Sequence, residues 1–161
     1  MKAGILAIVL VAGCAQSGGQ APQHAGLGSP APSFSELTVS GSTMTMASLV
    51  GKPLWLNFFA TWCGPCNEEA PTIAAVSTQF APRGLQIVGV DVAENATAAK
   101  AFVDKHHLNY PAVIDSGVLM DAYHINGMPV SVFIDKTGVV RKIEVGELSR
   151  DEMEADVKSI L

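Results

Sequence analysis

Two cysteines three residues apart, Cys63-Gly64-Pro65-Cys66, follow an almost unbroken apolar run, Leu54 to Ala60. The run has the length and continuity of a strand buried on both faces. The residues after the pair, Pro65 to about Phe80, place Ala70, Ile73, Ala74, Val76 and Phe80 at helical spacing. A cysteine at such a strand-to-helix junction meets the free N–H groups and positive dipole end of the helix, which stabilise a thiolate. Cys66 falls one turn on, on the same face, within closing distance of Cys63. Pro65 suits the first turn, where no N–H is needed, and Gly64 leaves room for another backbone. This junction favours thiol–disulfide chemistry. The alternatives are a structural disulfide, whose short loop constrains the unfolded chain little, and a zinc site. Zinc would need two further ligands, and His24, His106, His107 and His124 offer no ligand spacing beyond the adjacent His106-His107.

The rest of the chain predicts a small α/β protein. Phe34 to Val39 and Thr43 to Met46 read as a hairpin around Ser40-Gly41-Ser42. Leu85 to Val92 reads as a second buried strand, Thr97 to His107 as a helix, and Ala112 to Ile114, Val130 to Ile134 and Val139 to Val145 as further strands. Lys136-Thr137-Gly138 fits a hairpin turn, Pro71 a helix kink, and Ser149 with Glu152 a capping box opening a last helix over Arg150 to Leu161. Strands alternating with helices, then a hairpin and a helix, imply an α/β sandwich with a central mixed β-sheet flanked by helices and an N-terminal β-hairpin. With 161 residues, 48% apolar, there is material for one domain. The net charge of −5 argues against nucleic acid as a partner. His106-His107 is expected near a helix end where positive imidazole is favoured, His124 in a surface loop, and Met44 and Met46 in packing contacts.

The N-terminus reads as an address. Lys2 is followed by ten residues, Ala3 to Ala12, without a polar side chain, too short to cross a bilayer and right for a signal peptide. Val11-Ala12-Gly13-Cys14 resembles the lipobox of bacterial lipoproteins, which implies cleavage before Cys14 and a diacylglycerol on its sulfur. The expected organisation is a signal peptide over 1–13, lipidated Cys14 and a flexible Gly/Pro/Ser-rich linker over 14–33, and a folded domain over 34–161. The linker would span on the order of 25 Å as a coil.

The segment Asn57 to Cys66 resembles the active site of the thioredoxin superfamily, most closely its exported TlpA/ResA-like branch. Gly51-Lys52-Pro53, Glu68-Glu69-Ala70-Pro71 and Gly127-Met128-Pro129 fit the same branch. The resemblance implies a thioredoxin-like fold, Cys63 as attacking and Cys66 as resolving thiol, and Trp62 covering the disulfide. It makes Pro129 a cis-proline, with the Met128 backbone open to a substrate strand. Thioredoxin carries a buried aspartate where this chain has Asn57. Glu69, three residues after Cys66, is the alternative acid for the Cys66 proton, or else a solvated first-turn residue. No cofactor or metal is implied. The implied partners are protein disulfides or thiols, a membrane thiol transporter as electron donor, and the membrane itself through Cys14. The site faces the periplasm or cell exterior, with apocytochrome c among candidate substrates. Gly64-Pro65 favours a reductant over a disulfide-forming oxidant. A metal-binding chaperone is the alternative of another class. A peroxidase is disfavoured because Leu56 and Ala60 stand where peroxiredoxins place proline and threonine or serine. No dimerisation segment is visible, so a monomer is expected.

Overall fold

The computed structural model describes residues 25–92 and 94–161. The signal-peptide and lipobox readings, Cys14 and the first part of the linker lie outside the described residues.

Seven strands form one mixed sheet in the order β2-β1-β5-β4-β3-β6-β7. In chain order they are β1 (Ser35–Thr38), β2 (Thr43–Thr45), β3 (Leu54–Phe59), β4 (Gln86–Val92), β5 (Ala112–Asp115), β6 (Val130–Ile134) and β7 (Val140–Val145). Among the described residues four α-helices accompany them: α1 (Gly64–Phe80), α2 (Ala96–Lys105), α3 (Val118–Ala122) and α4 (Arg150–Ile160). The three central strands β3, β4 and β5 run parallel, and β1, β2, β6 and β7 pair antiparallel around them. The expected sandwich with its N-terminal hairpin is therefore the observed architecture.

Every residue of β3 is buried, which is why its sequence is a continuous apolar run rather than an alternation. Leu54, Leu56 and Phe58 point to one face and pack with Val88, Val90 and Val132. Trp55 points to the other, where Ile73 and Val76 of α1 and Met153 and Val157 of α4 cover it. The indole N–H of Trp55 is satisfied inside the core by Ser131 Oγ at 2.9 Å. At the C-terminal end of β3 a third cluster gathers Phe59, Ala60, Ala70, Phe102 and both cysteines. The sheet thus aims β3 at the helix α1 that carries the pair.

Local signals set the element ends. The capping box at α4 is present, with Ser149 and Glu152 exchanging hydrogen bonds. Gly41 takes φ +85° in the first hairpin and Gly138 φ +80° in the second, the left-handed conformations those turns require. The helix α1 continues through Pro71, which sits within its span.

The structure adds to the sequence reading at two places. No element was assigned between 115 and 129, yet α3 forms there. It is five residues long, too short for an amphipathic period, and Asp115 starts it by accepting the N–H groups of Leu119 and Met120 at 2.9 Å each. The folded part also begins before 34. Ala25 N–H donates to Ala122 O, Gly28 N–H to Val140 O and Ala31 N–H to Gly138 O, each at 2.8 Å, and Pro30 bridges to Val139. Residues 28–31 therefore run along the start of β7 and Ala25 is held to the end of α3, so the flexible-linker reading fails for this stretch. A Gly/Pro/Ser-rich composition with no periodicity conceals this because the ordering comes from backbone pairing.

Candidate active site

Cys63 is the N-cap of α1, with extended backbone (φ −78°, ψ 112°), and its sulfur accepts the N–H of Cys66 at 3.2 Å. A cysteine thus stands where serine or aspartate caps most helices. Any negative charge on Cys63 Sγ is met by that N–H and by the helix dipole. The two sulfurs are bonded at 2.09 Å across a Cα–Cα distance of 5.3 Å. Cys63 and Cys66 are both buried, while Gly64 and Pro65 between them are exposed. A side chain at Gly64 would meet nothing within 4 Å, so that flank is open to a partner.

Trp62, immediately before the pair, is 71% exposed, so most of its surface faces solvent. The bond between Met128 and Pro129 is cis, as expected. Its position follows from the sheet: β6 runs antiparallel to β3 with Val130 opposite Phe58, so the residues before Val130 reach the end of β3 where the cysteines begin. Met128 packs against the cluster that holds Cys63 and Cys66.

Glu69 is not a solvated first-turn acid. It is 2% exposed, and Asn57, itself buried in β3, donates Nδ2–H to its Oε1 at 3.0 Å. Leu148 N–H approaches its Oε2 at 3.4 Å. Burial raises the carboxyl from an ordinary value of 4.5 to about 7, against the lowering effect of those two donors, and Glu147 adds a further push upward. A carboxyl one turn from Cys66 that titrates near neutrality can take or give a proton there. Asn57 supplies no proton of its own; it orients Glu69.

The sequence did not disclose the polar frame around the loop 61–63. Asn67 Nδ2 donates to Cys63 O at 2.8 Å and to Thr61 O at 3.0 Å. Its Oδ1 receives Lys105 Nζ at 2.7 Å and lies 2.9 Å from His106 Nε2. From the other side Glu94 accepts the N–H and the hydroxyl of Thr61, both at 2.6 Å. Asn67 is local to the loop, but Lys105, His106 and Glu94 lie more than thirty positions from the residues they meet, so no local pattern marks them. His106 corrects an expectation as well: burial, then Lys105 and His107, lower its pKa and favour the neutral ring. The ring lies against Phe102 at 4.5 Å between centroids. His107 (φ 51°) and His124 (φ 52°) occupy left-handed positions after α2 and α3.

The Redoxin family model matches residues 27–161. The thiol-disulfide oxidoreductase ResA of Bacillus thuringiensis is 33% identical over 135 residues, covering 83% of this chain and 78% of that protein. Among solved structures, a thioredoxin-family thiol:disulfide interchange protein from Chlorobium tepidum superposes with a TM-score of 0.77 at 36% identity, covering 84% of this chain and 97% of that one. A secreted Mycobacterium tuberculosis disulfide oxidoreductase, homologous to E. coli DsbE, gives 0.71 at 31% identity over 78% of this chain and 95% of that one. With its bonded cysteine pair at the head of α1, the chain belongs to the Redoxin family and, within the thioredoxin superfamily, to the TlpA/ResA-like thiol–disulfide oxidoreductases.

Proposed function

We propose that the chain is a lipid-tethered, extracytoplasmic reductant of protein disulfides, working as a monomer with Cys63 and Cys66 as its redox pair and no cofactor. The observation that carries this reading is Cys63 at the head of α1, its sulfur already held by the Cys66 N–H at 3.2 Å. In the reduced protein the Cys63 thiolate attacks one sulfur of a partner disulfide. That S–S bond breaks, a mixed disulfide forms, and the partner's second sulfur leaves as a thiolate. Cys66 gives its proton to Glu69 and attacks the Cys63 sulfur; the bond from Cys63 to the partner breaks, the Cys63–Cys66 bond closes, and the partner's two sulfur anions take one proton back from Glu69 and one from solvent. Two electrons have moved to the partner. Trp62 and the Met128 backbone border the pair as contact surface, and Pro129 immediately precedes β6.

Two features support the reductive direction. Gly64-Pro65 is the dipeptide of reducing thioredoxins. Buried Glu69, one turn from Cys66, places potential negative charge where it disfavours thiolates, and a reduced form so destabilised is the better electron donor. Such a reductant needs a supply of electrons, for which we propose a membrane thiol transporter. Lipid on Cys14, with 1–13 removed, would hold the domain at the membrane, and apocytochrome c is the proposed substrate class.

Acid-quenched thiol alkylation of the full chain in its own cells tests the direction, with palmitate labelling of the chain and of Cys14→Ser testing the tether. The reading expects Cys63 and Cys66 mostly as thiols, and label in the native chain alone. A pair found mostly as disulfide in growing cells, as a disulfide-forming oxidant would be, overturns it.

A further inference from the structure

Asp91 is the buried ionisable group that the redox cycle leaves unused. It lies in β4 opposite Phe59 of β3 and Ile114 of β5, in the middle of the sheet, and is fully buried. Apart from Glu94, which faces it, its carboxyl oxygens have no hydrogen-bond partner. An ionised carboxylate in that state would carry most of its desolvation cost uncompensated. Register puts Asp91 on the face of the sheet that bears Phe59, and so on the side of the cysteine cluster. Three residues on, Glu94 leaves the strand and holds Thr61 twice, through the backbone N–H and the hydroxyl, at 2.6 Å each. Thr61 is two residues before Cys63.

We infer that Asp91 and Glu94 are a positioning pair for the Cys63 loop: Glu94, as the anion, clamps Thr61, and Asp91, kept protonated beneath it, allows that anion to stay. When Asp91 loses its proton, its buried carboxylate confronts that of half-buried Glu94, and the clamp on Thr61 loosens. The loop would then be tight on the acid side of neutrality and slack above it.

The surrounding groups are consistent with Glu94 governing Asp91. Burial and then the Glu94 charge raise the Asp91 carboxyl from 3.8 to about 7. The other ionisable groups on this side of the sheet are engaged elsewhere. Glu69 is held by Asn57 and Leu148, Lys105 and His106 meet at Asn67, and Lys100 pairs with Asp104 at the surface. Cys63 and Cys66 are bonded to each other, and Tyr110 is buried and held far above its usual range by that burial. On β5, Asp115 is opposite Val92, so it faces the other side of the sheet, where it caps α3.

The test follows the Thr61 amide by hydrogen exchange in the oxidised full-length chain from pH 5.5 to 8.5, corrected for the intrinsic base-catalysed rate. Hydrogen bonds to a charged group are strong enough that losing the clamp should raise exchange roughly tenfold or more. In the native chain protection should fall by that order across neutrality. In Asp91→Asn, an isostere of the protonated form, it should stay flat. In Glu94→Ala protection should be low at every pH, and Thr61→Val, which keeps only the N–H bond, should lie between. A native-like fall in Asp91→Asn, or native protection in Glu94→Ala, overturns the inference. The rate of Cys63 alkylation in the reduced chain adds a chemical readout. Its pH profile should lose in Asp91→Asn a step that remains in Glu69→Gln; a step lost only in Glu69→Gln overturns the coupling to Cys63. The exchange measurement does not depend on Cys63 being the attacking thiol, so failure of that reading and failure of this one are separable.

Discussion

Replacing Glu69 by glutamine should change how stability depends on pH more than it changes stability itself. Glu69 is 2% exposed and titrates near 7 in the fold against about 4.5 when unfolded. The native state therefore holds a proton that the unfolded state has released between those two values. Stability contributed by this group is complete below about 4.5 and is lost as pH rises to and through 7. The full loss is on the order of 3 kcal/mol. Glutamine does not titrate, so that loss disappears. It also offers one acceptor oxygen where Glu69 uses two, one for Asn57 and one for Leu148, which costs about 1 kcal/mol at every pH. Urea denaturation of the oxidised full chain at pH 5, 6, 7 and 8 measures both effects. Asp91 contributes its own slope to both proteins and cancels in the difference, provided the two sites are independent. Glu69→Gln should be the less stable protein at pH 5 and the more stable at pH 8. Two curves that stay parallel over this range would refute the placement of an ionisable acid in the core beside Cys66.

Three further perturbations bear on the same site. Asn57→Asp sets a second carboxyl within about 3.0 Å of Glu69 Oε1. The pair must share a proton, so the variant should lose roughly 1–3 kcal/mol more than the native chain above pH 7 and behave much like it near pH 5, as denaturation curves would show. Cys66→Ser should form the mixed disulfide at near-native rate and then stall, seen as a persistent higher-mass band without reductant; release at the native rate would contradict a resolving role for Cys66. Gly89→Ala places a methyl 3.0 Å from Phe59 Cε1 and 3.3 Å from Ala112 Cβ, under the active-site cluster. Overpacking there should cost about 1–3 kcal/mol, read as a lowered Tm, and an unchanged Tm would show that β4 has room to spare.

The parts of this molecule legible in the sequence are those whose cause is local. β3 shows itself because a strand buried on both faces has no polar period to keep, and the Cys63–Cys66 pair because a strand end and a helix start adjoin it in the chain. Ser149 and Glu152 announce α4 through a capping box whose two partners stand three positions apart. What stayed hidden depends on distant partners. Glu69 could be named as a candidate from its spacing, but whether it was buried or solvated turned on Asn57 in β3 and Leu148 before α4. Glu94 meets Thr61 only after the sheet has formed, and Gly28 to Ala31 become ordered by pairing with residues 138–140 at the start of β7. The helix α3 was missed because an aspartate cap, rather than hydrophobic periodicity, makes it.

The central claim is that this oxidoreductase gives electrons to protein disulfides, and the reduction potential of the Cys63–Cys66 couple tests it most directly. Equilibrating the full chain with glutathione or dithiothreitol mixtures and counting free thiols gives the value. The account predicts a potential at or below about −220 mV, in the range of thioredoxin and the more reducing glutaredoxins. A value near about −120 mV, that of a strong disulfide-forming oxidant, would contradict it.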